Sequence, residues 1–148
     1  MENASERKNR RIRGLPMDII LSIKPKYCEK IVSGAKRVEF RKRFISNADK
    51  IGFVYMYATY PIKKIVGTFK IESVIKGSPN DLWRKFKSIS GISRDEFFRY
   101  FGSEKTIFAI KIKDVKLFNP PIDPNLLFPN FTSPRSFQYI KNNVHGIS

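Results

Sequence analysis

Lys24–Arg43 reads KPKYCEKIVSGAKRVEFRKR, and the rest of the chain has to be built around it. Eight Lys or Arg stand against two acids, Glu29 and Glu39, a local charge of +6 in twenty residues. Pro25 suits the first turn of a helix, where its missing N–H would have no partner anyway. Tyr27 and Ile31, with Cys28 beside them, form an apolar stripe at helical spacing. Gly34, after Ser33, ends that helix, because glycine takes the left-handed conformation found at many helix ends. Beyond it Arg37-Val-Glu-Phe-Arg41 alternates with period two, which predicts a strand with Val38 and Phe40 buried. The same parity puts Arg37, Glu39, Arg41 and Arg43 on the opposite face. Helix, glycine turn and arginine-bearing strand would make one wall of a basic cleft.

The whole chain is consistent with a partner that fills such a cleft. Its 148 residues carry a net charge of +16, of which Met1–Pro16 supplies only +3. The excess is therefore spread over the folded part, and a polyanion is the natural partner. Nucleic acid is favoured over a membrane surface because no long amphipathic basic helix is evident; the bland alternative is a soluble protein that happens to be basic. A hydrophobic fraction of 41% with 13 Phe describes a globular chain, large enough to bury a core without staples. One cysteine, Cys28, excludes an internal disulfide and a cysteine-rich zinc site, and one histidine, His145, argues against a His-based metal site. No metal or cofactor is expected. No apolar run approaches the roughly 18 residues of a membrane span, and the basic start lacks the apolar region of a signal peptide. A cytoplasmic location is the default.

Along the chain, residues 1–16 are polar, basic and aperiodic, a disordered arm ahead of a single domain at 17–148. A short apolar strand from Asp18 delivers the chain into Lys24-Pro25. Phe53–Thr59 and Lys64–Lys76 predict two further strands, the second with Gly67 inside it, which suggests a bulge or a close approach. Ser78-Pro79 with Asp81 starts a helix carrying Leu82, Trp83 and Phe86 inward. Ser93-Arg-Asp-Glu96 has capping-box spacing and opens a second, with Phe97, Phe98 and Phe101, closing at Gly102. Thr106–Phe118 is an alternating strand whose Lys111, Lys113 and Lys116 mark a solvated face, and Asn119–Pro124 reads as a break. Pro134–Tyr139 forms the last patterned segment. Strands outnumber helices without a βαβ rhythm, so the fold class is α+β or a small barrel with appended helices.

Several of these segments, in this order, resemble the ASCH domain, a member of the PUA-like barrel superfamily, over roughly Ile19 to Ile140. The carriers are Ser22-Ile-Lys-Pro25 with Tyr27, then Ile31-x-x-Gly34-x-Lys36-x-x-Glu39-x-Arg41, Tyr57-Ala-Thr59-x-Pro61 and Ile65-Val-Gly67. Gly77-Ser-Pro79 to Leu82-Trp83, Ser93-Arg-x-Glu96-Phe97 and Pro134-x-Ser136-Phe137-x-Tyr139 complete the set. The resemblance implies a PUA-like small β-barrel with helices packed at its side and a cleft proposed to bind RNA. Some members are hydrolases that cut RNA or deacylate a modified cytidine. In the deacylating members the Gly-x-Lys turn supplies a Lys, a Thr follows three residues later, and a Glu comes from between the helices. Lys36 matches that Lys, but Glu39 stands where the Thr would be and Ser90 near the Glu position.

Two functions of different class fit these residues, an RNA-binding module as the primary reading and an enzyme as the alternative. In an RNA-binding module, Lys24, Lys36, Arg37 and Arg41 neutralise phosphate, and Glu39 holds Arg41 so that its planar fork meets a phosphate or base edge. Tyr57, beside Thr59 on one parity, would stack on an unpaired base, and Arg135 with Ser136 would line the same cleft. In a metal-independent ribonuclease, or a hydrolase acting on a modified nucleoside, Lys36 is the catalytic residue with Tyr27 or Ser136. Its pKa would then have to be lowered by burial or by neighbouring cations. Neither a His pair nor a cluster of acids is present for the usual acid–base or metal-assisted cleavage of RNA.

Overall fold

The computed structural model describes residues 15–140, so the arm read over 1–16 lies almost wholly outside the described residues, as does His145. Six strands make one mixed sheet: β1 (Met17–Ile23), β2 (Val38–Arg41), β3 (Ile51–Ala58), β4 (Lys64–Gly77), β5 (Ile107–Ile122) and β6 (Phe137–Tyr139). Their order is β2-β5-β4-β3-β1-β6, with β1 parallel to β3 and the remaining pairs antiparallel. The sheet curls into a half-barrel, leaving β2 and β6 as its two edges. Helices α1 (Pro25–Ser33), α2 (Pro79–Phe86), α3 (Arg94–Phe101) and the single turn α4 (Pro124–Leu127) connect the strands.

Local chemistry sets the helix limits as expected. Gly34 caps α1 at φ +85° with its N–H on the Ile31 carbonyl. Ser78 Oγ accepts from Asp81 N–H at 3.1 Å and Ser93 Oγ from Glu96 N–H at 3.2 Å, satisfying donors that have no partner within the first turn. Packing then fixes the helices on the sheet. One core cluster joins Ile19, Leu21, Met56 and Phe69 of the strands to Cys28 and Ile31 of α1. A second gathers Leu82, Phe86, Phe97 and Phe101 of α2 and α3 over Val38 and Phe40 of β2. Phe97 is its hub, fully buried, with the rings of Phe40, Trp83 and Phe101 at 4.7, 4.9 and 5.0 Å. Truncating such a residue to Ala costs about 3–5 kcal/mol. A third cluster, Ile20, Tyr57, Ile65 and Ile140, is covered by Phe128 and Phe131.

Two expectations need correction. Asn119–Pro124 is not a break from its start: β5 continues to Ile122, which pairs with Ile65. Strand β2 pairs only with Phe108–Lys111, so beyond Lys111 one side of β5 is an open edge where proline's missing N–H is tolerated. Strand β2 is also not one-sided, because Glu39 is as buried as Phe40. Gly67 does mark a close approach: a Cβ there would lie 2.2 Å from the Lys116 carbonyl oxygen.

Candidate functional site

A cavity of about 410 Å³ opens between the start of α1, the edge strand β2, helix α3 and the segment that precedes β6. Lys24, Lys36, Glu39, Arg41, Arg135 and Ser136 all line it, together with Thr59 and Tyr27. One concavity thus gathers these residues, without Arg37, and its cations fall into two groups.

The first group is spent on the protein itself. Lys36 is 2% exposed. Its Nζ donates to the Ser90 carbonyl at 2.5 Å and lies 3.6 Å from Glu39 Oε1. Burial pulls its pKa below the ordinary lysine value, an effect opposed by Glu39 and reinforced by Lys30. Gly91 makes room for it: at φ +63° it adopts a conformation costly for other residues, and a Cβ there would sit 2.8 Å from Lys36 Cβ. Arg41 is equally committed. Nη1 donates to the Ser22 carbonyl at 2.9 Å and Glu39 Oε2 at 3.1 Å, and Nη2 to the Ser136 carbonyl at 3.1 Å and Ser136 Oγ at 3.0 Å. Residues on β2 and beside β6, the two sheet edges, are thus joined through one guanidinium. Glu39 does hold Arg41, as expected, but its second cation is Lys36 and not Arg37.

The second group makes no side-chain hydrogen bond or ion pair among the described residues. Lys24, Arg43 and Arg135 are exposed at the cavity wall, and Lys42 is half-buried with its Nζ 4.1 Å from the centre of the Tyr100 ring. These side chains, and not Lys36 or Arg41, reach solvent at the cavity.

Two predicted site residues lie elsewhere. Arg37 precedes β2, is exposed, and does not line the cavity; its backbone N–H binds the Ile89 carbonyl at 2.8 Å. Tyr57 is 4% exposed and packs on Phe131 with ring centres 5.0 Å apart, so it is core and has no face to offer a base. The register slips between Met56 and Tyr57, and both residues are buried in different clusters. Thr59, of the same parity as Tyr57 in sequence, does reach the cavity.

One residue was hidden by its own motif. Glu96 fits a capping box, yet its carboxylate leaves the helix end and accepts from the Tyr27 hydroxyl and from Lys26 Nζ, the latter at 2.9 Å. These two hydrogen bonds hold its pKa below the usual carboxylate range. Burial and the Glu96 partner push the Tyr27 phenol upward, so Tyr27 keeps its proton at neutral pH. The Tyr27 ring also stands 4.8 Å from Lys36 Nζ. Sequence gives no signal for this pair, since Tyr27 and Glu96 lie 69 residues apart on different helices. Ser90, near the expected Glu position, contributes its carbonyl to Lys36 while its hydroxyl binds the Lys87 carbonyl. Among the described residues no group of three His, Cys, Asp or Glu gathers to hold a metal, and no helix is long and apolar enough to cross a membrane.

Residues 16–132 match the model of a family described as a domain of unknown function (DUF365). An ASCH domain-containing ribonuclease of Zymomonas mobilis is 29% identical over 130 residues, covering 84% of each chain. A crystal structure of a point mutant of the ASCH protein from Zymomonas mobilis superposes with a TM-score of 0.80 at 25% identity, over 90% of this chain and 94% of that one. A large ribosomal subunit protein uL22 of Ureaplasma parvum is 36% identical over 126 residues, 83% of this chain but 39% of that protein.

Proposed function

The chain belongs to the family described as a domain of unknown function (DUF365) and is an ASCH-domain protein, and on that premise we propose that it binds single-stranded RNA in the cavity and cleaves it without a resident metal ion. The curled sheet is taken as an open form of the PUA-like barrel, with residues 17–148 acting as one unit behind a basic arm. The similarity to a protein named as a ribonuclease over most of both chains supports the substrate class.

The observation that carries the catalytic part is the Lys36 amine. A lysine meant only to neutralise phosphate has no reason to be 2% exposed, since removing its charge from water costs several kcal/mol. Burial gives it a larger neutral fraction at neutral pH than a surface lysine has, and a neutral amine accepts a proton. In the proposed step Lys36 takes the 2′-hydroxyl proton, O2′ attacks the adjacent phosphorus, and the P–O5′ bond breaks. The departing O5′ takes a proton from the Tyr27 hydroxyl, which gives up its hydrogen bond to Glu96 for the transfer. The products are a 2′,3′-cyclic phosphate and a free 5′-hydroxyl. Ser136 Oγ, fixed by Arg41, would orient the phosphate, with Lys24 and Arg135 neutralising it at the cavity mouth. Glu39 and Ser90 replace the partners of the nucleoside-deacylating members, which favours strand cleavage over that chemistry.

Binding without cleavage is the second possibility, and Glu39 favours it: a carboxylate 3.6 Å away helps keep Lys36 charged. Fluorescent single-stranded RNA incubated in excess EDTA with the wild type and with Lys36→Met separates the two. The expected result is cleavage that persists in EDTA and is lost in Lys36→Met by a factor far larger than any loss of affinity. Intact RNA with both proteins, at concentrations where both bind, would reduce the protein to a binding module.

A further inference from the structure

Next to the cavity lies a second concavity of about 450 Å³, and Lys42 and Arg43 line both. Strand register explains the continuity. Arg41 of β2 pairs with Phe108 of β5, and Phe108 pairs with Lys76 of β4, both antiparallel. Directly paired residues in an antiparallel ladder project to the same face. A single row, Arg41–Phe108–Lys76, therefore runs from the cavity into the second groove, across two interstrand gaps or about 10 Å. Phe108 is half-buried, with Lys76 Nζ 5.7 Å from its ring centre, and Lys105 of the α3–β5 connection lines the same groove. Four cations (Lys42, Arg43, Lys76, Lys105) face one carboxylate, Glu104.

We propose that this groove holds the strand of RNA adjoining the nucleotide in the cavity, with Lys76 and Lys105 on its phosphates and Phe108 under a base. The inference rests on the cavity being an RNA site. It adds a direction of travel and makes the ligand an oligonucleotide, not a free nucleotide. Cations around a half-exposed aromatic ring suit a single strand, whose bases are free to stack; in a duplex the base faces are already occupied by their neighbours.

The test compares a labelled single-stranded RNA of about 12 nucleotides with a labelled dinucleotide, at about 0.15 M salt, where charges more than about 8 Å apart are largely screened. The proteins are the full chain as wild type, Lys76→Glu/Lys105→Glu, and Phe108→Leu. The double variant should bind the long strand at least about tenfold more weakly, with a salt slope flatter by roughly 1.4, which is two contacts at about 0.7 each. Phe108→Leu should lose about fivefold or more, the lower end of one base–aromatic stack. Both should match the wild type on the dinucleotide and in thermal midpoint. Unchanged affinity for the long strand in both variants overturns the groove while leaving the cavity reading intact. An equal loss on the dinucleotide, or an equal loss on a blunt duplex of the same length, overturns it as well. A wild type that binds neither single-stranded ligand refutes the cavity reading and this inference with it.

Discussion

Gly34 and Gly91 both hold left-handed backbone, at φ +85° and +63°, but only one of them touches the site. A Cβ on Gly34 meets nothing within 4 Å, whereas a Cβ on Gly91 lies 2.8 Å from Lys36 Cβ and 3.2 Å from its Cγ. The atom that would have to yield is the root of a buried side chain, not its flexible tip. Gly34→Ala should therefore cost only the left-handed penalty, about 1–2 kcal/mol. Gly91→Ala should cost that plus overpacking of about 1–3 kcal/mol, together about 2–5 kcal/mol. At roughly 2–4 °C per kcal/mol for a chain of this size, the midpoints should fall by about 4 °C and about 10 °C. Urea unfolding gives the two free energies, and RNA cleavage by the same samples at 25 °C gives the functional arm. Moving the Lys36 stem takes Nζ off the Ser90 carbonyl, so Gly91→Ala should lose cleavage while Gly34→Ala keeps it. Equal destabilisation of the two variants, within about 0.5 kcal/mol, and equal cleavage would show that Gly91 does not position Lys36.

The pH dependence follows from the same lysine. Its folded-state pKa lies below the ordinary 10.5, so between those values the unfolded chain binds more protons and the Lys36 contribution to stability rises with pH. The difference in unfolding free energy between wild type and Lys36→Met, measured across neutral to alkaline pH, should show that slope; a flat difference would mean that Lys36 titrates as it does in water. Cleavage should rise with pH over the titration of Lys36, because only the neutral amine accepts a proton. For phosphate contacts, Lys24→Ala and Arg135→Ala should each flatten the salt dependence of single-stranded RNA binding by about 0.7, and Tyr57→Phe should leave affinity unchanged. Slopes equal to wild type would remove both cations from the contact surface.

The strands and helix limits were legible because they depend on local chemistry: Ser78 and Ser93 cap wherever they precede a helix, and Gly34 can turn left-handed regardless of what surrounds it. The curl of the sheet was not, and the errors trace to it. Tyr57 shares its parity with Thr59, but a register slip opposite Gly67–Ile65 and coverage by the segment carrying Phe128 and Phe131 bury both faces at the end of β3. Arg37 obeys the alternation of β2 yet lies before the strand begins, where its backbone pairs with the turn after α2. The buried state of Lys36 depends on Ser90 and Gly91, more than fifty residues away, and no local pattern encodes that. Capping accounts for Ser93, but no local pattern encodes that the Glu96 carboxylate turns toward Tyr27.

The bond from Arg41 to Ser136 gives the site a birth order. Tyr27, Lys36 and Glu39 are all translated before β4 exists, but the wall that Ser136 completes arrives about a hundred residues after Lys36. In a nascent chain that has emerged only through β5, β1 lacks its β6 neighbour and Arg41 lacks its Ser136 partner. Such a chain is a basic polypeptide in an RNA-rich setting whose pocket still lacks one side. Closure of the pocket thereby waits for Pro134–Ser136, and a chain cut just before Pro134 keeps +14 of the +16 net charge, losing Arg135 and Lys141, but lacks that wall.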